Sequence, residues 1–129
     1  MFDHSSPTRR QVAALRAGIE LLDRIGSAVD ATGARLYITS NDHGTYTHVN
    51  AMVFGPTDAD RGDAGVRVAA LHAASDALGS PLTVRYDTPD AFGLRVAVTI
   101  DGVSVDVTDH FTGDDIPLAR AALTPAVAP

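Results

Sequence analysis

The residues best suited to chemistry are three histidines, His43, His48 and His110, and two neighbouring aspartates, Asp42 and Asp109. Imidazole nitrogens and carboxylate oxygens are ligands of zinc and of non-haem iron, and two histidines with one carboxylate would be enough for such a site. Their spacing matches no metal-binding motif, and the side chains converge only if separate strand ends are neighbours in the fold. We therefore expect surface histidines, with no metal and no other cofactor.

The motifs of other catalytic chemistries are missing from the sequence. There is no glycine-rich phosphate loop, and no serine lies between glycines at the spacing of a nucleophile elbow. The chain has no cysteine and no lysine, which excludes disulfides, thiolate ligands and Schiff-base catalysis. Most aspartates lie in segments where Asp favours turns and helix caps. Nothing in the sequence makes an enzyme the default interpretation.

The composition is that of one acidic globular domain. The chain has 129 residues, 45% hydrophobic and 20% charged, with a formal net charge of −6, and this length suits a single core. The negative charge disfavours direct nucleic-acid binding. No segment is apolar enough for a membrane span or a signal peptide, so we expect a cytoplasmic protein. All 10 basic residues are arginine, and all of the 16 acidic residues except Glu20 are aspartate; this bias is typical of a GC-rich bacterial or phage genome.

Two segments have the periodicity of amphipathic helices. In the first, which begins near residues 5–8, six aliphatic residues recur at steps of three and four and predict one buried stripe. These residues are Val12, Leu15, Ile19, Leu22, Ile25 and Val29. The second helix begins near Asp63, because Val68, Leu71 and Leu78 are spaced three and seven residues apart. Each helix therefore has one apolar face to bury.

The strongest strand signal is a hairpin in the second half of the chain. Its turn is predicted at Asp101-Gly102, because a type I′ turn requires positive φ at both central residues. Alternating aliphatic residues on either side of the turn predict a core-facing row. They are Leu94, Val96, Val98 and Ile100 before the turn, and Val103, Val105 and Val107 after it.

Three further strands are predicted before this hairpin. Residues 36–39 and 46–54 are rich in β-formers and flank a polar loop, which predicts a first hairpin. Its longer strand has Val49 on one face and Met52 on the other, and the sequence leaves open which face is buried. Residues 82–87 predict another strand, in which Leu82, Val84 and Tyr86 share one face.

These elements predict a two-layer α+β sandwich of order α-β-β-α-β-β-β. Two helices would pack on one face of a mainly antiparallel five-stranded sheet, because that arrangement buries both helical stripes and the aliphatic face of the strands. We expect residues 1–111 to form this single domain. For residues 112–129 we expect a tail that forms a short helix and then becomes flexible.

The sheet face that does not meet the helices is the predicted binding surface. By alternation it carries basic, polar and thioether side chains, which suit a contact surface better than a catalytic cleft. The residues assigned to it are His48, Asn50, Met52, Arg85, Arg95 and Asp106, with Thr99 and Thr108 beside them. The leading hypothesis is a non-enzymatic module that binds another protein or itself, including as a homodimer. The competing interpretation is a simple solvated sheet.

Two other functions stay open at this stage. The first is an acidic decoy or adaptor, whose Asp-rich loops engage a basic nucleic-acid-binding protein through interactions that salt would weaken. The second is a small-ligand-binding or hydrolytic protein that uses His48 and His110. That function requires a pocket near both histidines.

Overall fold

A computed structural model describes residues 6–44, 46–56 and 63–123. The elements follow the order α-β-β-α-β-β-β-α, which confirms the predicted α+β architecture and adds a C-terminal helix. They are α1 (Pro7–Asp30), β1 (Arg35–Asp42), β2 (Thr47–Phe54), α2 (Ala64–Leu78), β3 (Leu82–Asp87), β4 (Phe92–Ile100), β5 (Val103–Phe111) and α3 (Asp115–Ala121).

The five strands form one sheet in the order β1-β2-β5-β4-β3. Neighbouring strands are antiparallel except β2 and β5, which run parallel. The parallel pair needs a long crossover connection, and α2 with β3 and β4 lies within it. α1 packs against β1, β2 and α2, and α2 packs against β4, β5 and α3. The opposite face of the sheet, called the open face below, lies away from the helices.

Strand alternation decides which side chains form the core. Val49, Ala51 and Val53 of β2 are buried, whereas Met52 is on the open face. This settles the choice that the sequence left open for β2. The hairpin of β4 and β5 is confirmed, with positive φ at Asp101 (50°) and Gly102 (80°) as a type I′ turn requires.

The buried face of α1 differs from the predicted one. Only Ile25 and Val29 of the expected stripe are buried. The other four residues are exposed: Val12 by 42%, Leu15 by 63%, Ile19 by 62% and Leu22 by 43%. The prediction that all six face the core was therefore wrong.

Small residues explain this orientation of α1. The helix turns Ala13, Ala14, Ala17 and Gly18 towards the core, followed by Leu21. Side chains of this size let the helix backbone approach the sheet closely, which larger residues would prevent. A Cβ added at Gly18 would lie 3.5 Å from Cγ2 of Ile38, so the helix already contacts β1 at this point. The aliphatic stripe is left on the outer side.

A buried ion pair ties α2 to the end of β5. Arg67 is 4% exposed, and its Nη1 donates to Oδ2 of Asp109 at 2.7 Å. The guanidinium also lies 4.8 Å from the centroid of the Phe111 ring. Oδ1 of Asp109 accepts the backbone N–H of His110 at 2.7 Å. Both charges are removed from water, so each depends on the other for compensation.

Removing one partner of this pair should destabilise the fold strongly. We expect Asp109→Ala to lower the free energy of unfolding by about 3–5 kcal/mol, because it leaves the guanidinium buried without its main partner. Urea denaturation measures the change.

Two further variants test the assignment. Arg67→Met combined with Asp109→Leu should recover much of the loss, since apolar pairs often replace buried ion pairs without penalty. The control is Asp115→Ala. Asp115 also lies near Arg67, at 3.6 Å from Nη2, but its side chain is 49% exposed, so its removal should cost less stability than removal of Asp109. Equal losses for both alanine variants would contradict the assignment.

A second arginine anchors the start of α1 to the end of β1. Arg10 is buried, and it donates from Nε to Oδ1 of Asp42 at 2.7 Å and from Nη2 to Oδ2 at 3.1 Å. The N–H of Gly44 also donates to Asp42 at 3.0 Å. The hydrogen bonds from Arg10 and then from Gly44 lower the pKa of Asp42 below its usual value of 3.8.

The stabilisation from Asp42 should depend on pH. A lowered folded-state pKa favours the ionised form, so the contribution is complete above about pH 3.8 and is lost as pH falls through the folded pKa. We expect Asp42→Asn to lower the Tm at neutral pH, and we expect the difference from the wild type to shrink below pH 3.8. Thermal unfolding followed by circular dichroism across this range tests the prediction. A difference that is the same at every pH would contradict it.

The C-terminal helix α3 packs on the rest of the domain through Ile116 and Ala119, which are both buried. The predicted flexible part of the tail from residue 124 onward lies outside the described residues. Among the described helices, none has the length and hydropathy needed to cross a membrane.

Candidate functional site

The centre of the open face is built by the parallel pairing of β2 with β5. The register places Asn50 opposite Asp106 and Met52 opposite Thr108. Nδ2 of Asn50 donates to Oδ1 of Asp106 at 2.7 Å and lies 2.9 Å from Oγ1 of Thr108. Nε2 of His48 lies 3.1 Å from the same carboxylate oxygen of Asp106. These residues form one connected polar cluster.

The polar cluster is shielded from water although it lies on the open face. The side chain of Asp106 is 8% exposed, and Thr108 as a residue is 1% exposed. A carboxylate at this depth requires hydrogen-bond donors, and Asn50 donates to Oδ1 of Asp106, with Nε2 of His48 at 3.1 Å from the same oxygen. The cluster therefore links the polar side chains at the middle of the sheet.

A row of side chains crosses the sheet beside this cluster. Tyr37 pairs with Met52, Met52 with Thr108, and Thr108 with Arg95, which is exposed. We call these four residues the cross-sheet row. Phe54 extends its apolar end, because its ring lies 4.6 Å from that of Tyr37 at an angle of 59°. The row combines aromatic and thioether groups at one end with a guanidinium at the other.

A β-bulge brings Tyr86 onto the open face. The pairing of β3 with β4 shifts between Val84 and Tyr86, so Tyr86 is paired with Gly93. Its hydroxyl forms a hydrogen bond with Nδ1 of His110. The prediction that Tyr86 shares a face with Leu82 and Val84 was wrong, because one extra residue in a strand reverses the alternation.

Five of the six residues predicted for the binding surface are brought together on the open face by the register of β2, β4 and β5. They are His48, Asn50, Met52, Arg95 and Asp106. Arg85 is exposed but lies at the bulge, where the register of β3 with β4 shifts. Sequence reasoning missed Tyr37 and Tyr86, and it left Phe54 out of the predicted binding surface although Phe54 shares a strand face with Met52. A signal for Tyr37 was its place in the first predicted strand, whereas no sequence signal marked the bulge.

The histidines and aspartates considered as metal ligands do not form one group. His48 is paired with Ser104 at one end of β5 and His110 is six residues further along, so about 20 Å of strand separates them. Asp109 points to the core, where it binds Arg67. His43 stacks on Tyr46 at a centroid distance of 4.5 Å. Within residues 6–44, 46–56 and 63–123, no three His, Asp or Glu side chains form a group that could hold a metal ion.

Comparison of the chain with protein-family models, with curated proteins and with solved structures finds no match. Interpretation of the open face therefore depends on its geometry and chemistry.

The contact between Tyr86 and Gly93 gives a test of the bulge. A Cβ at Gly93 would lie 2.6 Å from Cε1 of Tyr86. We expect Gly93→Ala to displace the ring, break its hydrogen bond with His110 and reduce the free energy of unfolding by about 1–3 kcal/mol, as overpacking usually does.

Gly26→Ala is the matched control, because no atom of the described residues lies within 4 Å of its added Cβ in α1. That change should stabilise the protein by about 0.5–1 kcal/mol, since alanine suits a helix interior better than glycine. Chemical denaturation of both variants gives the comparison. If Gly93→Ala were neutral, the packing of Tyr86 on Gly93 would be contradicted.

Proposed function

We propose that this protein is a non-enzymatic interaction module that binds an acidic segment of another protein through the open face. The observation that carries the proposal is the cross-sheet row, Tyr37, Met52, Thr108 and Arg95, extended by Phe54. Tyrosine, phenylalanine, methionine and arginine are the residue types enriched in protein interfaces. Tyrosine and arginine are also enriched among the residues that dominate binding energy.

The satisfied polar cluster supports the same function. A partner that covers the open face removes the remaining water from Asn50, Asp106 and Thr108. Nδ2 of Asn50 already donates to Asp106 at 2.7 Å and to Thr108 at 2.9 Å, so these atoms keep their partners when the face is covered. The desolvation penalty of binding is thereby reduced for these atoms, and the apolar end of the row contributes buried area.

The charges of the face indicate the chemistry of the partner. The protein carries a net charge of −6, yet its row ends in exposed Arg95. The carboxylate of Asp106, in the middle of the face, is held by Asn50 and His48. A partner segment with a carboxylate opposite Arg95 and an aromatic or aliphatic side chain on Tyr37 and Phe54 complements both ends of the row.

Peptide display followed by a charge reversal tests this proposal. We expect a random peptide library selected on the immobilised protein to enrich acidic sequences that contain an aromatic or aliphatic residue. Arg95→Glu should weaken binding of the selected peptides by at least about tenfold, which corresponds to roughly 1.4 kcal/mol. Fluorescence anisotropy measures the affinities, and rising salt should weaken the wild-type complex.

Asp76→Arg is the control, because it changes charge on an exposed part of α2 away from the open face. It should leave peptide affinity unchanged apart from long-range electrostatics, which salt screens. Tyr37→Ala should weaken binding without unfolding the protein, since Tyr37 is 52% exposed. Selected peptides that lack acidic residues, or that bind wild type and Arg95→Glu equally, would contradict the proposal.

A further inference from the structure

The exposed residues of α1 form a second surface, separate from the open face. We call Val12, Leu15, Ile19 and Leu22 the α1 stripe. Their exposed fractions run from 42% to 63%, which is high for four large aliphatic side chains on one helix of a single domain. Isolated exposed aliphatic residues are ordinary, but a contiguous group indicates a contact surface.

The spacing of the α1 stripe is that of a helix-pairing seam. Its members are separated by three, four and three residues, which is the a-d-a-d pattern by which two helices pack along one another. The stripe occupies two heptads of a helix of 24 residues. A second helix is therefore the geometry that this face fits.

A groove beside the stripe provides space for side chains of that second helix. It lies between α1 and the edge strand β1, and has a volume of about 250 Å³. Leu15, Ile19 and Leu22 line one wall, and Ile38 lies on the other, with Gly18 at its base. Apolar side chains of a second helix could insert into this groove, as in the knobs-into-holes packing of coiled coils.

The charges beside the stripe indicate what that second helix is. At intervals of seven residues, α1 carries Arg9 and Arg16 in its first half and Asp23 and Asp30 in its second half, all of them exposed. A second copy of α1 running antiparallel would set Arg9 of each helix beside Asp23 of the other. Arg24, in the second half of the helix, is already paired with Glu20 at 3.0 Å. The helix dipoles also favour the antiparallel direction.

We propose that a second copy of this chain packs on the α1 stripe in an antiparallel, two-fold symmetric dimer. In such an interface the same surface is used twice, so Val12 faces Leu22 of the second copy and Leu15 faces its Ile19. The groove of each copy receives aliphatic side chains from the other. This interface lies on the helical side of the sheet, so it uses none of the residues of the cross-sheet row.

Analytical ultracentrifugation of stripe variants tests the dimer. The wild type should show a concentration-dependent monomer–dimer equilibrium. Ile19→Glu should raise the dimer Kd at least about tenfold, since it places two charges in the seam. Because Ile19 is 62% exposed, the monomeric variant should retain its far-ultraviolet circular dichroism and its Tm at low concentration. Leu118→Glu is the matched control, because Leu118 is an aliphatic residue on α3 that is 44% exposed. The Leu118→Glu variant should remain dimeric.

Introduced cysteines test the direction of the helices without interference, because the natural chain has none. In the antiparallel dimer, Val12→Cys combined with Leu22→Cys should form interchain disulfides on mild oxidation, whereas Val12→Cys alone should not. The two positions of one chain are roughly 15 Å apart along the helix, beyond the reach of an internal disulfide. Cross-linking by Val12→Cys alone would indicate parallel helices and overturn the arrangement.

Two other outcomes would overturn the dimer itself. One is a wild-type chain that stays monomeric into the high-micromolar range, which would leave the stripe to a helix of a different protein. The other is a dimer that Arg95→Glu dissociates and Ile19→Glu does not, which would place self-association on the open face. This inference rests on the α1 stripe alone. Peptide affinity measured with the protein below its dimer Kd reports on the open face of the monomer, so failure of the dimer is distinguishable from failure of the proposed function.

Discussion

The parallel pairing of β2 with β5 is the constraint on which the rest of the structure depends. It joins the part of the chain that contains α1, β1 and β2 to the part that contains α2 and the last three strands. It completes the core by placing Val49 beside Val105 and Ala51 beside Val107. The same register brings Asn50 to Asp106, which is 56 residues away in sequence. Without this pairing the sheet would divide into the two-stranded hairpin of β1 and β2 and the three-stranded sheet of β3, β4 and β5, and a two-stranded hairpin is marginally stable by itself.

Local features of the fold could be predicted from the sequence because local signals determine them. The Asp101-Gly102 turn and the alternation around it identified the last hairpin and its core face, and Asp63 does cap α2 by accepting the N–H of Gly65 at 2.7 Å. The places of Arg95 and Asp106 on the open face followed from the same alternation, whereas on β2 alternation grouped His48 with Asn50 and Met52 without deciding which face is buried. The β-bulge before Tyr86 could not be predicted, because it reverses the alternation without a glycine or proline to mark it.

The orientation of α1 was missed for a different reason. Periodicity shows which residues of a helix share a face, but α1 has two apolar faces, one of small residues and one of large aliphatic residues. Burial of Ala13, Ala17 and Gly18 allows close approach to the sheet, and the van der Waals attraction of closely packed atoms then competes with the hydrophobic effect on the larger side chains. A sequence argument that ranks faces by hydrophobicity alone selects the wrong one. Which face of α1 is buried depends on the distance between the helix and the sheet, and that distance is a property of the whole fold.

The proposed interfaces lie on opposite layers of the domain, so occupying one leaves the other accessible. A dimer built on α1 would present two copies of the open face, related by the two-fold axis. A partner with two acidic segments could then bind both copies, and its apparent affinity would exceed that of either contact alone when its linker spans them. The polar cluster around Asp106 is repeated in each copy and needs nothing from the other.

The separation of β2 and β5 along the chain also has a consequence for how the protein reaches its native state. During synthesis β2 leaves the ribosome long before β5, so the edge of β2 that β5 will cover stays open while residues 55–102 are made. Strands that are far apart in sequence pair slowly, because the chain between them must close into a loop before the pairing contributes any stability. An open strand edge flanked by apolar side chains such as Val49 is prone to association with other chains during that interval. The yield of folded protein should therefore depend on how quickly β5 follows β2, and conditions that slow translation between them should favour aggregation over folding.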